Sequence, residues 1–248
     1  MAITYRTIST GATKTTTTNG SLTLNAPAGV TTNDLLVACI SFRGGTTPSI
    51  PAGWTEINRT QVAGNSNTNS LSVGSGLMAW TKVSGAVDYV FGAVTLQQFS
   101  NLAFGYVVRI DGQDLTDPVA GTSVNTLASA ATTVTTGGYT RTFTTETAND
   151  YLEIMLCMGG QEQRTTAGPW STQQYTTGPT SMTEIAEASN TAGNDGSIAV
   201  ARSTTLGDTT GGFSALSDLA TTCRSSLMVA SFGGPRSPVT GYSFSSFF

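Results

Sequence analysis

The residues best suited to recognition chemistry stand between Gln161 and Gly178. Trp170 and Tyr175 lie there among Gln163, Arg164, Gln173 and Gln174, in a polar stretch longer than the corresponding stretch earlier in the chain. An aromatic anchor flanked by amide and guanidinium donors can stack on a sugar or pack on a neighbouring protein. The competing reading is a tryptophan folded back to close the end of a β-sandwich. Trp54 and Trp80 are also potential sugar platforms, but their sequence counterparts, Met182 and Val200, share apolarity and not aromatic shape. Core packing accounts for that.

Asp111, Asp114 and Asp117 form a D-x-x-D-x-x-D loop. Clustered carboxylates suit a hard cation such as calcium. The spacing is not that of an EF-hand, and aspartates in such loops commonly cap turns through side-chain to backbone bonds. No metal is assigned on this pattern. Arg109 alternates with the apolar residues of its own segment and is read as a structural partner for a nearby aspartate.

Catalysis has little to build on. The chain contains no histidine, the commonest general base and metal ligand. Ser-His-Asp and Cys-His sites are thereby excluded. A carboxylate pair remains open in principle, since Glu56, Glu153 and Glu184 are available, but no motif joins them. The expectation is a protein that is not an enzyme, with no catalytic residue and no cofactor. Cys39, Cys157 and Cys223 have neither paired nor metal-type spacing. They read as buried small hydrophobes, with a Cys157–Cys223 bridge left open.

The elements that must carry these residues are strands. Charged residues make up 10% of the 248 residues, against roughly 25% in a typical soluble domain. Thr, Ser, Gly and Ala take their place, and Thr fits a pleated, half-buried surface. The formal net charge is −4, with two lysines, Lys14 and Lys82. No basic stripe marks a nucleic-acid binder. No apolar run reaches the length that spans a bilayer, and the first residues lack the apolar region of a signal peptide. Synthesis in a cytoplasm, without nucleic-acid or membrane partners, is the expectation.

The chain also matches itself. Asn33-Asp34-Leu35-Leu36 answers to Asn149-Asp150-Tyr151-Leu152, and Pro51 to Ile57 answers to Pro179 to Ile185. Gly76 to Lys82 answers to Gly196 to Arg202, and Tyr106 to Gly112 with Pro118-Val119 answers to Met228 to Gly234 with Pro238-Val239. Four matches in one order, offset by about 120 residues, indicate duplication. Residues 1–120 form a first half, 121–234 a homologous second half, and 235–248 a tail.

Strands are expected near 2–9, 20–25, 35–42, 54–60, 76–83, 87–96 and 103–110. In the second half they fall near 125–134, 138–144, 151–158, 182–188, 196–203, 213–217 and 225–232. Gly- and Asn-rich turns separate them. The fold class is all-β: a jelly-roll-like β-sandwich of two homologous halves in a pseudo-two-fold relation, with one fused unit favoured over two separate domains. The tail carries Tyr242, Phe244, Phe247 and Phe248 and reads as a docking arm, or as a last strand folded on its own sandwich.

The segments Asp34-Leu-Leu-Val-Ala, Arg43-Gly-Gly, Pro51-Ala-Gly-Trp54-Thr55, Ala79-Trp80-Thr-Lys82-Val and Tyr106-Val-Val-Arg109-Ile-Asp111-Gly followed by Asp117-Pro118 resemble a group of β-sandwich proteins of bacteriophages, prophages and some bacterial surfaces. The resemblance covers most of the chain, more weakly in the second half. It implies a virion structural role: a capsid decoration (cement) protein, expected to form a homo-oligomer and to bind the major capsid protein and copies of itself. The alternative is a tail-tip or spike module that binds a host glycan. A bacterial surface or matrix protein is a third, weaker option.

Overall fold

The computed structural model describes residues 3–15, 20–42, 48–60, 75–93, 102–131, 133–141, 150–160, 170–175, 183–190, 196–206, 209–217 and 223–234. For several strands of the second half the description is of the backbone. The described residues are all-β. The first half contributes β1 (Thr4–Ile8), β2 (Ala12–Lys14), β3 (Leu22–Thr23), β4 (Leu35–Phe42), β5 (Thr55–Thr60), β6 (Ser75–Lys82), β7 (Val90–Phe91) and β8 (Ala103–Asp111). The second contributes β9 (Val119–Ala131), β10 (Thr133–Arg141), β11 (Asp150–Gly160), β12 (Trp170–Tyr175), β13 (Thr183–Asn190), β14 (Gly196–Leu206), β15 (Thr209–Ser217) and β16 (Cys223–Phe232).

Two large antiparallel sheets form the centre. One runs β1-β8-β4-β6-β5, with β2 also paired to β8; the other runs β13-β14-β11-β16-β9. They face each other across a single core. Leu35, Val37, Cys39, Met78, Phe104, Tyr106, Val108 and Ile110 from the first sheet meet Ile198, Val200, Met228, Ala230 and Phe232 from the second. The opposite face of the first sheet is buried as well. Leu36, Ala38, Ile40, Phe42, Leu77 and Val107 pack there under Leu22, Leu24, Trp54 and Phe91. Every residue of β4 is therefore buried, and its sequence is an apolar run interrupted only by Ser41 instead of an alternating one. Gly105 permits the close approach of that outer cover: a Cβ there would lie 2.3 Å from Leu24 Cδ2. In the second half a small sheet, β10-β15-β12, lies against β11 and β16.

The ladders of the two large sheets agree in order and in detail. Glu56 faces Ala79 across β5 and β6, as Glu184 faces Ala201 across β13 and β14. Each of these edges carries a register shift one residue later, at Ile57 and at Ile185. Tyr5 faces Ile110 and Thr7 faces Arg109, with Arg6 in the irregularity between them; Val119 faces Phe232 and Gly121 faces Ser231, with Ala120 between them. The ladders also adjust the sequence matches. Ala79 corresponds to Ala201 and Cys39 to Leu156. Laid on each other by ladder position, β6 and β14 differ from the sequence match by two residues and β4 and β11 by one, and Arg202 shares the ladder position of Trp80.

Hydrogen bonds among the described residues tie residues 1–120 to residues 121–234. Ser41 Oγ donates to the Ser197 carbonyl at 2.8 Å, and Tyr106 donates its hydroxyl to the Glu187 carbonyl at 2.7 Å. The segment after β8 is held to the end of β16, with Asp114 N–H on the Gly233 carbonyl at 2.8 Å.

Candidate functional site

Trp54 and Trp80 pack inward. Trp54 is buried, donates Nε1–H to the Asp88 carbonyl at 2.7 Å, and meets Tyr89 and Phe91 edge-on. Trp80 is half-buried against the inter-sheet core. The buried Trp54 ring is not available as a sugar platform.

Trp170 and Tyr175 open and close β12, and Gln173 and Gln174 lie within it. The stretch expected to be a loop thus contains a strand, paired with β15 at the edge of the small sheet. Its Thr-Gln-Gln-Tyr sequence has no apolar alternation, so periodicity missed it. Gln163 and Arg164 lie outside the described residues, as do Tyr242, Phe244, Phe247 and Phe248 of the tail.

The acidic loop is internally engaged. Asp111 pairs with Arg6. Asp114 Oδ1 accepts the N–H groups of Thr116 at 2.7 Å and Asp117 at 3.1 Å, which closes a turn. Among the described residues no three acidic or cysteine side chains gather as a metal set.

Arg109 holds a buried corner. Its Nε donates to Asp34 Oδ2 at 2.8 Å, and its Nη1 to the Ala28 carbonyl at 3.2 Å. Thr31 adds its hydroxyl, at 3.0 Å, and its N–H to the same carboxylate oxygen. Glu56 is likewise occupied, at 2.8 Å from Arg59 Nη2. Three carboxylates that could have served acid–base chemistry are committed to arginines.

Cys39 is fully buried, and burial pushes its thiol far up, which leaves it inert as a nucleophile. The ladder excludes a Cys157–Cys223 bridge. Cys157 faces Leu227 across β11 and β16, four residues along β16 from Cys223. Four residues of strand span ~13 Å, beyond the reach of a disulfide.

Sequence reasoning missed one cluster between the large sheets. The Arg202 guanidinium lies 4.4 Å from the centre of the Tyr5 ring. Tyr106 stands beside Glu187 and Glu184. Burial first, then those two carboxylates, raise its phenol pKa. The sequence match sets Arg202 beside Lys82, two residues from Trp80, whose ladder position Arg202 shares.

No family model, curated protein or solved structure matches the chain. Among the described residues no helix is long and apolar enough to cross a membrane.

Proposed function

We propose that the chain is a duplicated jelly-roll-like unit, fused through a pseudo-two-fold interface, and that it serves as a non-catalytic virion component: a decoration (cement) protein on the outside of a phage head. The observation that carries the reading is the single core shared by two large sheets. Such a block leaves sheet edges, and not its central faces, for contact with a partner.

The duplication is supported by the common strand order and the paired register shifts. The jelly-roll winding is supported by the path of each half. In the first, the chain passes from the small sheet (β3) to the large one (β4, β5, β6), back to the small one (β7) and again to the large one (β8). A further backbone bond, Gly92 N–H to the Ser49 carbonyl at 2.8 Å, lies where β15 meets β12 in the second half.

A structural role accords with the chemistry. Charges are few, so binding to a shell relies on shape and on backbone pairing at edges more than on steering. The partners are the major capsid protein and other copies of this chain. The test is reconstitution. Purified protein added to head shells that lack it should bind saturably and raise the shell's melting temperature. Failure to bind any shell, joined with binding to host glycans, would favour the tail-tip reading.

A further inference from the structure

The two large sheets end in four border strands: β1 and β5 in the first, β13 and β9 in the second. A border strand carries unpaired N–H and C=O groups, and proteins blunt such edges by shortness, charge or bulges. Three of the four are blunted. β1 has 5 residues, with Arg6 in its irregularity and paired to Asp111. β5 carries the Glu56–Arg59 pair and a register shift at Ile57. β13 carries Glu184 and Glu187 and the matching shift at Ile185.

β9 departs from that pattern. It has 13 residues, and none is charged or proline. From Gly121 to Leu127 its register against β16 is unbroken. β10 lies against β9 but pairs with β15 in the small sheet. Among the described residues no strand pairs with the outer edge of β9.

The middle residue of the unbroken run is Val124. It is 43% exposed, and among the described residues it and Leu115 are the large hydrophobics left exposed. Its partner on β16 is Met228, a member of the shared core, so Val124 stands at the lip of that core. Thr122, two residues along on the same face, is exposed too. Asn58 of β5 meets the Ser123 carbonyl at 3.5 Å, too long for a strong hydrogen bond.

Charge selects the occupant. A two-fold pairing of identical edges sets the residue on the axis opposite its own copy, and like charges directly opposed are destabilising. Arg6, at the middle of β1, would face itself, and β13 would bring carboxylates against carboxylates. β9 brings none. We propose that the outer edge of β9 pairs antiparallel with β9 of a second copy, about a two-fold axis at Val124. In this register Val124 faces Val124 of the second copy, Ser123 faces Asn125 and Thr122 faces Thr126. The five-stranded sheets of the two copies join into one, and the exposed valines cover each other where the core lips meet. This rests on the reading that the chain binds copies of itself, and not on the virion role.

An edge of this size makes a small interface, so the mass of the full chain is followed by light scattering over a wide range of concentration. Wild type should pass from the mass of one chain to that of two. Val124→Lys sets two ammonium groups on the axis. It should raise the concentration of half-association by about tenfold, with an unchanged urea midpoint because the position is exposed. Val124→Cys tests the axis itself. Directly opposed residues of an antiparallel pair stand ~4.5–5.5 Å apart at Cα, within reach of a disulfide. Mild oxidation should lock this variant as two chains, above the background given by wild type, and Thr4→Cys on β1 should stay at that background. The mass of one chain at every concentration, with no cross-link at 124, overturns self-association altogether. A two-chain mass untouched by Val124→Lys, with no cross-link at 124, overturns the β9 edge and leaves self-association standing. Loss of shell binding in Val124→Lys, with wild type at one-chain mass throughout, gives the edge to the shell protein and overturns the second copy as its occupant.

Discussion

Asp34 is 3% exposed and accepts three hydrogen bonds, from Thr31 N–H, Thr31 Oγ1 and Arg109 Nε. Removing the carboxylate leaves a largely buried guanidinium without its counter-charge. Asp34→Ala is expected to cost about 3–5 kcal/mol, measured by urea denaturation. The double variant Asp34→Ala/Arg109→Met should recover part of that loss. Tyr106 gives a second residue-scale test. Its folded pKa is raised above 10.0, mainly by burial. Stability from the protonated phenol is therefore fully present below pH 10 and is lost as pH rises through the folded value. Tyr5 and Tyr89 are raised in the same sense, and burial lowers Lys14, which acts oppositely. Tyr106→Phe should cost about 1–2 kcal/mol at neutral pH, because the Glu187 carbonyl loses its donor. It should also flatten the alkaline fall in stability seen in urea titrations. The Asp34–Arg109 pair was half legible: alternation marked Arg109 as structural, but its partner lies 75 residues away, and only the register of β4 against β8 joins them.

At the scale of elements, strands with a hydrophobic alternation or a continuous apolar run were legible, and strands without one were not. The run at 35–42 matches β4 residue for residue. β2, with three residues, and β12, with its polar sequence, carry no such pattern. Tertiary pairing makes them strands, β2 on β8 and β12 on β15. Small residues at close approaches follow the same logic. Gly105→Val would drive its side chain into Leu24 and Leu22. Its expected cost is about 1–3 kcal/mol, read as a lower urea midpoint with an unchanged slope.

At the scale of the molecule, the four sequence matches pointed to a repeat, while the direction in which the halves pack was not readable. Packing depends on which face of each strand turns toward the other sheet, and a shift of one residue reverses every face. The sequence match of β4 with β11 and their ladder positions differ by that one residue. Because the inter-sheet core draws on both halves, neither is expected to unfold alone. Calorimetry should give one transition whose calorimetric and van't Hoff enthalpies agree; two separated transitions would mean independent halves. The proposed role as a shell component is tested most directly by the number of copies per particle. Quantitative mass spectrometry of purified heads, beside the major capsid protein, is expected to give a ratio of one or a simple fraction of it. A dozen or fewer copies per particle, or none, would contradict decoration.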